Sequence, residues 1–110
     1  MNQLSVTIVT PTFNSMRTIK DYMEAICAQD YPHHLMDIVF ADGGSSDGTL
    51  EYLKNYSCDF LLHFFSNPLR TAEAGKAVAV KQAVGDVILL LDSDNIIPDT
   101  NWLNTSFLHY

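Results

Sequence analysis

Two kinds of hydrophobic pattern alternate along the chain. Short runs rich in Val, Ile and Leu are typical of strands. They occur at Ser5–Thr10, Met36–Ala41, Asp59–Phe65 and Val87–Leu91. Between these runs, apolar residues recur three or four positions apart, which indicates helices. Alternation of strands and helices predicts an α/β fold with a parallel sheet of about four strands flanked by helices.

The first two helices are predicted in the intervals between the first three strands. The first covers Met16–Ala28 and has an apolar face with the spacing i, i+3, i+4 and i+7. The second ends at Asn55 and is expected to be capped by Ser46 or Asp47. Both helices connect neighbouring strands, so right-handed crossovers are expected.

The third helix is predicted over Thr71–Val84, with Gly85 as its C-terminal cap. A last helix is predicted to start at Pro98 or Asp99. The third helix would present an apolar stripe of Ala77, Val80 and Val84, and the last helix would carry Trp102, Leu103 and Phe107.

The fourth strand runs directly into two acids, Asp92 and Asp94. Five successive apolar residues favour a strand that is buried on both faces. Along an extended chain the two carboxylates would project to the same side, because side chains alternate with period two. Two such acids without a neighbouring base suit Mg²⁺ or Mn²⁺, which commonly bridges carboxylates to phosphates. The alternative is that they only end a strand and cap the segment after it.

Unusual residues follow two other strands as well. The first strand, which Pro11 is expected to stop, is followed by Phe13, and the second is followed by Asp42 and a glycine-rich turn. In a parallel sheet all these ends lie along one edge, where ligands bind. Phe13 offers a face for a nucleobase or is an ordinary core aromatic. Asp42 accepts a hydrogen bond from a base or caps its turn. Lys76 meets phosphate or is a solvated helix residue.

Composition narrows the class of protein. The chain has 110 residues, of which 47% are hydrophobic and 17% are charged, so we expect one globular domain. A net charge of −7 argues against nucleic acid as a partner. Cys27 and Cys58 are predicted to be reduced thiols, and the four histidines lack the spacing of a zinc site. No signal peptide is visible, which favours a cytoplasmic location.

The order of three segments resembles the nucleotide-binding half of family 2 glycosyltransferases, which have the GT-A fold. These segments are SVTIVTPTFN, ADGGSSDGT and AGKAVAVKQAVGDVILLLDSDN, and the resemblance extends from about Leu4 to Trp102. It implies a Rossmann-like GT-A half-domain, a UDP-sugar or similar nucleotide-sugar donor, and Mg²⁺ or Mn²⁺. It also implies a sugar, lipid or polysaccharide acceptor and, for the full-length protein, action at the cytoplasmic face of the membrane.

The resemblance assigns roles by position. Pro11 and Phe13 match the base-contacting segment, Asp42 matches the acid that pairs with uracil, and Asp92 and Asp94 match the DxD motif. Asp94 is the expected direct metal ligand, and Asp92 faces the ribose or the metal. Nucleotide-sugar binding is assigned to Pro11, Thr12, Phe13, Asn14, Asp42, Gly44, Ser45, Lys76, Asp92 and Ser93, and metal binding to Asp94 and Asp92.

The chain departs from the family pattern in three places. Lys76-Ala77 stands where the family has an Arg-Asn pair, and Gly43 stands where many members have a second Asp. The family's domain is also longer, and its second half supplies the acceptor pocket and the general base. We therefore expect residues 1–110 to be the donor half of an inverting transferase, with no catalytic residue in this chain. An exposed sheet edge would favour self-association into a homo-oligomer.

Two other interpretations stay open from the sequence. The run DSDNI after an apolar strand approaches the pattern of haloacid-dehalogenase phosphohydrolases, in which the first Asp is a nucleophile. Against it, the motif lies late in the chain, and Ile96 occupies a position where Thr or Val is expected. The other interpretation is a non-catalytic module that binds a nucleotide or dimerises.

Overall fold

A computed structural model describes residues 4–103 of the chain. Its elements, in chain order, are β1 (Val6–Thr12), α1 (Met16–Cys27), a 3₁₀ turn (His33–Leu35), β2 (Met36–Asp42), α2 (Thr49–Lys54), β3 (Leu61–Ser66), α3 (Ala72–Val80) and β4 (Val87–Leu90). Every strand pair is parallel, and the order across the sheet is β3-β2-β1-β4. The predicted α/β fold with a four-stranded parallel sheet is confirmed.

Helices pack on both faces of the sheet. On one face α1 buries the four residues of its predicted apolar face in the main core. On the other face, Val9, Val39 and Ala41 of the sheet contact Ala79 of α3. This three-layer arrangement leaves the carboxyl edge of the sheet to the loops that lead into the helices.

β1 continues past Pro11, so the prediction that Pro11 stops this strand was wrong. Pro11 lies in register with Ala41 of β2. The backbone N–H of Leu91 donates to the carbonyl of Val9 at 3.0 Å, so position 9 faces the β4 side. Position 11 faces the same side, where β4 has already ended at Leu90. Proline cannot donate the next bond of the ladder, but this bond would fall at the end of β4, where its loss is tolerated.

α3 is shorter than predicted and buries a different face. It ends at Val80, and Val80 and Val84 of the predicted stripe are 39% and 84% exposed. The buried residues are Gly75 and Ala79. A Cβ atom at position 75 would lie 2.7 Å from Cβ of Pro11. The helix approaches the sheet so closely that only its smallest residues fit beneath it.

Gly85 does not cap α3. Its N–H donates to Oγ1 of Thr7 at 2.9 Å. A Cβ atom at position 85 would lie 2.7 Å from the backbone nitrogen of Thr7, so a side chain would collide with β1. The prediction of a helix cap was wrong because glycine serves close approach of two backbones here.

β4 is an edge strand of the described sheet. Its hydrogen-bonded neighbour is β1, and α3 packs over β1 and β2. Val87 is buried, but Ile88 and Leu90 are 39% and 53% exposed. The prediction that this strand is buried on both faces was therefore wrong for the part of the fold that residues 4–103 form.

The end of the described chain docks on the segment just after α1, where Gln29 has a buried side chain. Gln29 donates from Nε2 to the carbonyl of Asp99 at 2.7 Å and accepts the N–H of Leu103 at 2.9 Å. Leu103 is fully buried. Phe107 of the predicted last helix lies outside the described residues. No helix within residues 4–103 is long and apolar enough to span a bilayer.

Candidate functional site

One cleft of about 560 Å³ opens at the carboxyl edge of the sheet. Its walls come from the end of β1 with the loop after it, from the segment after β3, and from the end of β4. Seven of the residues predicted to form the site line it: Pro11, Thr12, Phe13, Asn14, Asp92, Ser93 and Asp94. The strand ends therefore meet as the parallel topology requires.

The two acids of the DxD segment reach this cleft from a turn. The N–H of Asn95 donates to the carbonyl of Asp92 at 3.0 Å, and the N–H of Asp92 donates to Oδ1 of Asn95 at 2.7 Å. The expectation that an extended strand aligns Asp92 with Asp94 was therefore wrong. Ser93 fixes the turn to the start of α1 through a hydrogen bond between its hydroxyl and that of Ser15, at 3.0 Å.

Asp92 has an unsatisfied oxygen. Its Oδ1 atom is buried and makes no hydrogen bond with the described residues. The ammonium nitrogen of Lys76 lies 3.2 Å from this oxygen and forms an ion pair without hydrogen-bond geometry. A buried acceptor without a donor is costly, so this oxygen is available for a further positive partner.

The acids at this edge suit a divalent cation that is held jointly with a ligand. Carboxylate oxygens are the donors that Mg²⁺ and Mn²⁺ prefer. Within the described part of the chain, however, no three His, Cys, Asp or Glu side chains are grouped to hold a metal. Asp92 and Asp94 would thus supply only part of a coordination shell, as in sites where phosphates and water complete it.

Asp42 lies at the same edge, but its carboxylate faces the protein. Oδ1 accepts hydroxyl protons from Thr12 at 2.8 Å and Ser45 at 2.7 Å. Oδ2 accepts the N–H groups of Gly44 at 3.1 Å and Ser45 at 2.9 Å. Burial alone would raise the pKa of Asp42, but these four hydrogen bonds outweigh it, and the pKa is lowered.

Asp42, Gly44, Ser45 and Lys76 do not line the main cleft. Asp42 and Gly44 line a second cavity of about 280 Å³. Ser45 supports the cleft from behind, because its hydroxyl accepts the N–H of Asn14 at 2.9 Å. Lys76 reaches the cleft only through its ion pair with Asp92.

The glycine-rich turn after β2 braces the start of α1. Asp47 accepts the N–H of Met16, the first residue of α1, at 3.1 Å and the N–H of Thr49 at 3.1 Å. The N-cap of α2 is Gly48, with φ of +95°, and it makes no side-chain capping bond. Neither Ser46 nor Asp47 occupies the N-cap position, but Asp47 caps α2 from one position earlier, because its carboxylate accepts the N–H of the first helical residue, Thr49.

Sequence reasoning missed two cations in the cleft, Arg17 and Arg70. The guanidinium of Arg70 lies 5.6 Å from the ring centroid of Phe13, a cation–π contact. Arg70 follows β3, and an inspection of all four strand ends would have drawn attention to it. Arg17 lies in the first turn of α1, where the sequence offered no distinctive pattern.

Two cleft residues have strained backbones. Within residues 4–103, Asn14 and Arg70 are the non-glycine residues with positive φ, at 49° and 65°. Asparagine tolerates this region better than most residues, whereas arginine has no such preference. Such strain persists where the surrounding structure imposes it, and it is concentrated at functional sites.

A parallel α/β sheet with this cleft at its carboxyl edge is the architecture of a Rossmann-like GT-A domain. The sequence profile of Glycosyl transferase family 2 matches residues 7–105, and the chain belongs to this family. This membership replaces the haloacid-dehalogenase alternative and confirms the resemblance seen in the sequence.

Known relatives are longer than this chain. Poly(ribitol-phosphate) beta-N-acetylglucosaminyltransferase TarS of Staphylococcus aureus is 30% identical over 96 residues, which cover 86% of this chain and 17% of TarS. Glycosyltransferase AglE of Haloferax volcanii is 27% identical over 89% of this chain and 33% of its own length. The chain thus spans a third or less of these two relatives.

Solved structures agree with the fold. The crystal structure of TarS 1–349 in complex with UDP superposes with a TM-score of 0.80 at 28% identity, over 93% of this chain and 30% of that one. The mannosyltransferase PcManGT from Pyrobaculum calidifontis, in complex with GDP-Man and Mn²⁺, superposes with a TM-score of 0.82 at 25% identity, over 90% and 30%.

Proposed function

We propose that this chain binds the nucleotide-sugar donor of an inverting glycosyltransferase, a UDP-sugar in the first instance, together with a divalent metal. The observation that supports this most is that one cleft is lined both by the aromatic Phe13 and by the acids Asp92 and Asp94. A flat apolar face suits a nucleobase, and a pair of carboxylates suits a metal bound to phosphate. A nucleoside diphosphate with its metal uses both.

Phe13 and Arg70 form the proposed base-binding end. Phe13 is 44% exposed although it directly follows the buried strand β1. Stacking of a base on such a ring contributes about 1–3 kcal/mol. The Arg70 guanidinium already lies over this ring, and the positive φ at position 70 indicates that its placement is imposed by the fold.

Asp42 is proposed to stabilise the loop that carries Phe13 at the base-binding end. The pairing of Asp42 with the imide of uracil stays a prediction. Its four hydrogen bonds hold Thr12 and Ser45, and Ser45 in turn holds the backbone of Asn14. The loop that carries Phe13 is thereby kept in one conformation before a ligand binds.

Asp92, Asp94 and Lys76 form the proposed diphosphate end. A bound Mg²⁺ or Mn²⁺ would neutralise the diphosphate so that it can leave as the sugar is transferred. Asp92 and Asp94 would hold that ion. Lys76 keeps the Asp92 carboxylate in place through its ion pair and adds positive charge beside the phosphates.

We assign donor binding, and not complete turnover, to this chain as a single domain. A general base must reach the acceptor hydroxyl at hydrogen-bond distance. Asp92 and Asp94, the carboxylates that line the cleft, are both proposed as metal ligands. We propose that recognition of the sugar, lipid or polysaccharide acceptor belongs to the additional length that the relatives have.

The test is calorimetric titration of UDP and of GDP, with and without Mn²⁺, into the wild-type chain and into Asp94→Asn. We expect UDP to bind in the presence of Mn²⁺, and we expect the variant to lose at least about tenfold in affinity, since a charged ligand contact contributes about 1.4 kcal/mol or more. If the chain binds GDP more tightly than UDP, the proposed base becomes guanine and the proposed location of the site is unchanged.

The matched control is Asp99→Asn, an exposed acid outside both cavities. Asn at position 99 keeps an acceptor for the N–H of Asn101. This variant should bind UDP as the wild type does. A folded wild-type chain that binds neither nucleotide with Mn²⁺ present would contradict the proposal, as would equal losses in the two variants.

A further inference from the structure

The strand β3 forms one free edge of the described sheet. It stands last in the strand order, and its hydrogen-bonded neighbour is β2. The backbone N–H of Asn67, the residue after β3, donates to the carbonyl of Asp42 in β2 at 2.8 Å. Because backbone groups alternate along a strand, every second position before Asn67 also faces β2. The N–H and C=O groups of Leu62, Phe64 and Ser66 therefore point away from the sheet.

This edge lacks the features that usually keep sheet edges apart. Natural proteins protect free edges with charged side chains, proline, bulges or very short strands. β3 has six residues, LLHFFS, with no Asp, Glu, Lys, Arg, Pro or Gly among them. Its register with β2 runs without a bulge from the pair of Asp37 and Leu61 to the pair of Asp42 and Ser66. Such an edge is a template for a further strand.

The outward positions of β3 match a second copy of the same strand. Two identical strands related by a two-fold axis run antiparallel. With the axis at Phe64, this residue lies opposite its own counterpart, and Leu62 lies opposite Ser66 of the other copy. All the outward groups of both strands are then hydrogen-bonded, because the two residues of a hydrogen-bonded pair exchange both bonds. A shift of this register by two positions in either direction leaves outward groups of both copies without partners.

The side chains on this edge are complementary in the same register. Leu62, Phe64 and Ser66 share one face of the sheet, because side chains alternate along a strand. Phe64, which stacks on Phe40 at 5.5 Å, would meet the Phe64 of the other copy as an aromatic cross-strand pair. The cavity of about 280 Å³ beside the strand is lined by Leu50, Phe64 and Ser66, among others. Leu62 of the other copy would bring its side chain to the mouth of this cavity, next to the small Ser66.

The charges around β3 favour a second copy of the chain as the partner. The chain has a net charge of −7, so two copies repel each other in general, but β3 itself carries no acid. Asp59 precedes β3, and its side chain is 84% exposed. Lys54 lines the cavity near the other end of the strand. Antiparallel pairing therefore places the acid of one copy and the lysine of the other at each end of the interface.

The other free edge, β4, does not pair with itself in this way. The N–H of Leu91 donates to β1 at 3.0 Å, so the backbone groups of Ile88 and Leu90 point outward. Antiparallel pairing that uses both of these residues would place Asp86 opposite Asp92 of the other copy. Like charges that lie directly opposite each other destabilise a strand pair. The charges thus select β3 over β4.

We propose that two copies of this chain form a dimer by antiparallel pairing of their β3 strands about a two-fold axis at Phe64. The two sheets then continue into one another. No residue of β3 lines the nucleotide cleft, so each copy keeps its own proposed donor site open. Pairing of one short strand buries less area than a standard interface, so the dissociation constant should be on the order of 10–100 µM.

The test is sedimentation velocity of the purified chain over a concentration series from roughly 1 to 500 µM, which spans that dissociation constant. We expect a reversible equilibrium between monomer and dimer. Amide hydrogen exchange of the wild type, followed by NMR at the two ends of the series, reports the register. The amides of Leu62, Phe64 and Ser66 should be protected only at the high concentration, and those of His63 and Phe65 at both.

Ser66→Pro and Leu90→Pro distinguish the two edges. Each removes one outward N–H group from an edge strand, the first from β3 and the second from β4. We expect Ser66→Pro to weaken dimerisation by about tenfold or more, since the donor is lost in both copies. Leu90→Pro is the matched control and should dimerise as the wild type does. Circular dichroism checks that each variant is folded.

Three results would overturn the proposal. The wild type would stay monomeric over the whole series, Leu90→Pro would weaken the dimer as much as Ser66→Pro, or the outward amides of β3 would exchange equally fast at both concentrations. The exchange measurement uses the wild type, so it tests the proposal even where Ser66→Pro fails to fold.

Discussion

Asp42 and Asp92 occupy equivalent places at the ends of two parallel strands, yet their environments differ. Asp42 is 7% exposed, and both of its oxygens are saturated by hydrogen bonds from Thr12, Gly44 and Ser45. Among residues 4–103, one oxygen of Asp92 is buried without a hydrogen bond, and its ion-pair partner is Lys76. The Asp42 carboxylate is used within the protein, whereas Asp92 has an oxygen that is available to a ligand.

This contrast separates two uses of a carboxylate at the carboxyl edge of a sheet. Asp42 accepts hydrogen bonds from the loops and stabilises them. The same hydrogen bonds lower its pKa. Asp92 has a buried oxygen without a donor among the described residues, which costs stability, and the proposed cation would offset this cost on binding. Chain position alone would have given both acids the same role.

The largest expected effect is on folding. Asp42→Ala removes the acceptor for four hydrogen bonds, so we expect the free energy of unfolding to fall by roughly 3 kcal/mol. Asp92→Ala removes an acid whose pairing is poor, so its effect should stay within about 1 kcal/mol. Urea unfolding followed by circular dichroism measures both. Equal losses in the two variants would remove the distinction between the acids.

The next effect is on ligand binding. Asp92→Asn is expected to weaken binding of UDP in the presence of Mn²⁺ by about tenfold, because a charged ligand of the metal is lost. The unfolding free energy of the same variant should be nearly unchanged. Calorimetry and urea unfolding on one preparation check both. If Asp42→Asn loses UDP affinity without losing stability, Asp42 is a base-binding residue, as its chain position predicts.

Acid should remove the contribution of Asp42 to stability. Because the folded pKa of Asp42 is lowered, its contribution is present above the usual carboxyl value of 3.8 and is lost as the pH falls through the folded pKa. The stability difference between wild type and Asp42→Asn should therefore shrink below that pH. Asp47, whose pKa is also lowered, is present in both proteins and cancels. A difference that is constant with pH would argue against the hydrogen-bonded carboxylate.

The smallest expected effect concerns Lys76. Lys76→Met frees Asp92 from its ion pair, so Mn²⁺ without nucleotide should bind up to about threefold more tightly, within the range of exposed ion pairs. Lys81→Met, an exposed lysine just after α3, is the control and should change nothing. Electron paramagnetic resonance of free Mn²⁺ reports the affinity. Weaker Mn²⁺ binding in Lys76→Met would show that the ammonium does not compete with the metal for Asp92.

The order of elements and the meeting of strand ends could be predicted from the sequence because both follow from local patterns. Strand and helix periods were clear, and parallel topology then requires the strand ends to share one edge. The apolar face of α1 was placed correctly for the same reason.

Features that depend on distant neighbours could not be predicted. The choice of Ala79 over Val80 as the buried face of α3 depends on how closely Gly75 lets the helix approach Pro11. The exposure of Leu90 depends on the place of its strand in the sheet. The position of Arg70 after β3 is visible in the sequence, but its contact with the Phe13 ring is not.

Pro11 has a consequence for the surface of the cleft. The residue lines this cleft at the point where β1 continues and β4 has ended. Any other residue would carry a backbone N–H group at this position. A ligand that settles against Pro11 therefore meets an apolar ring and no backbone donor from that residue.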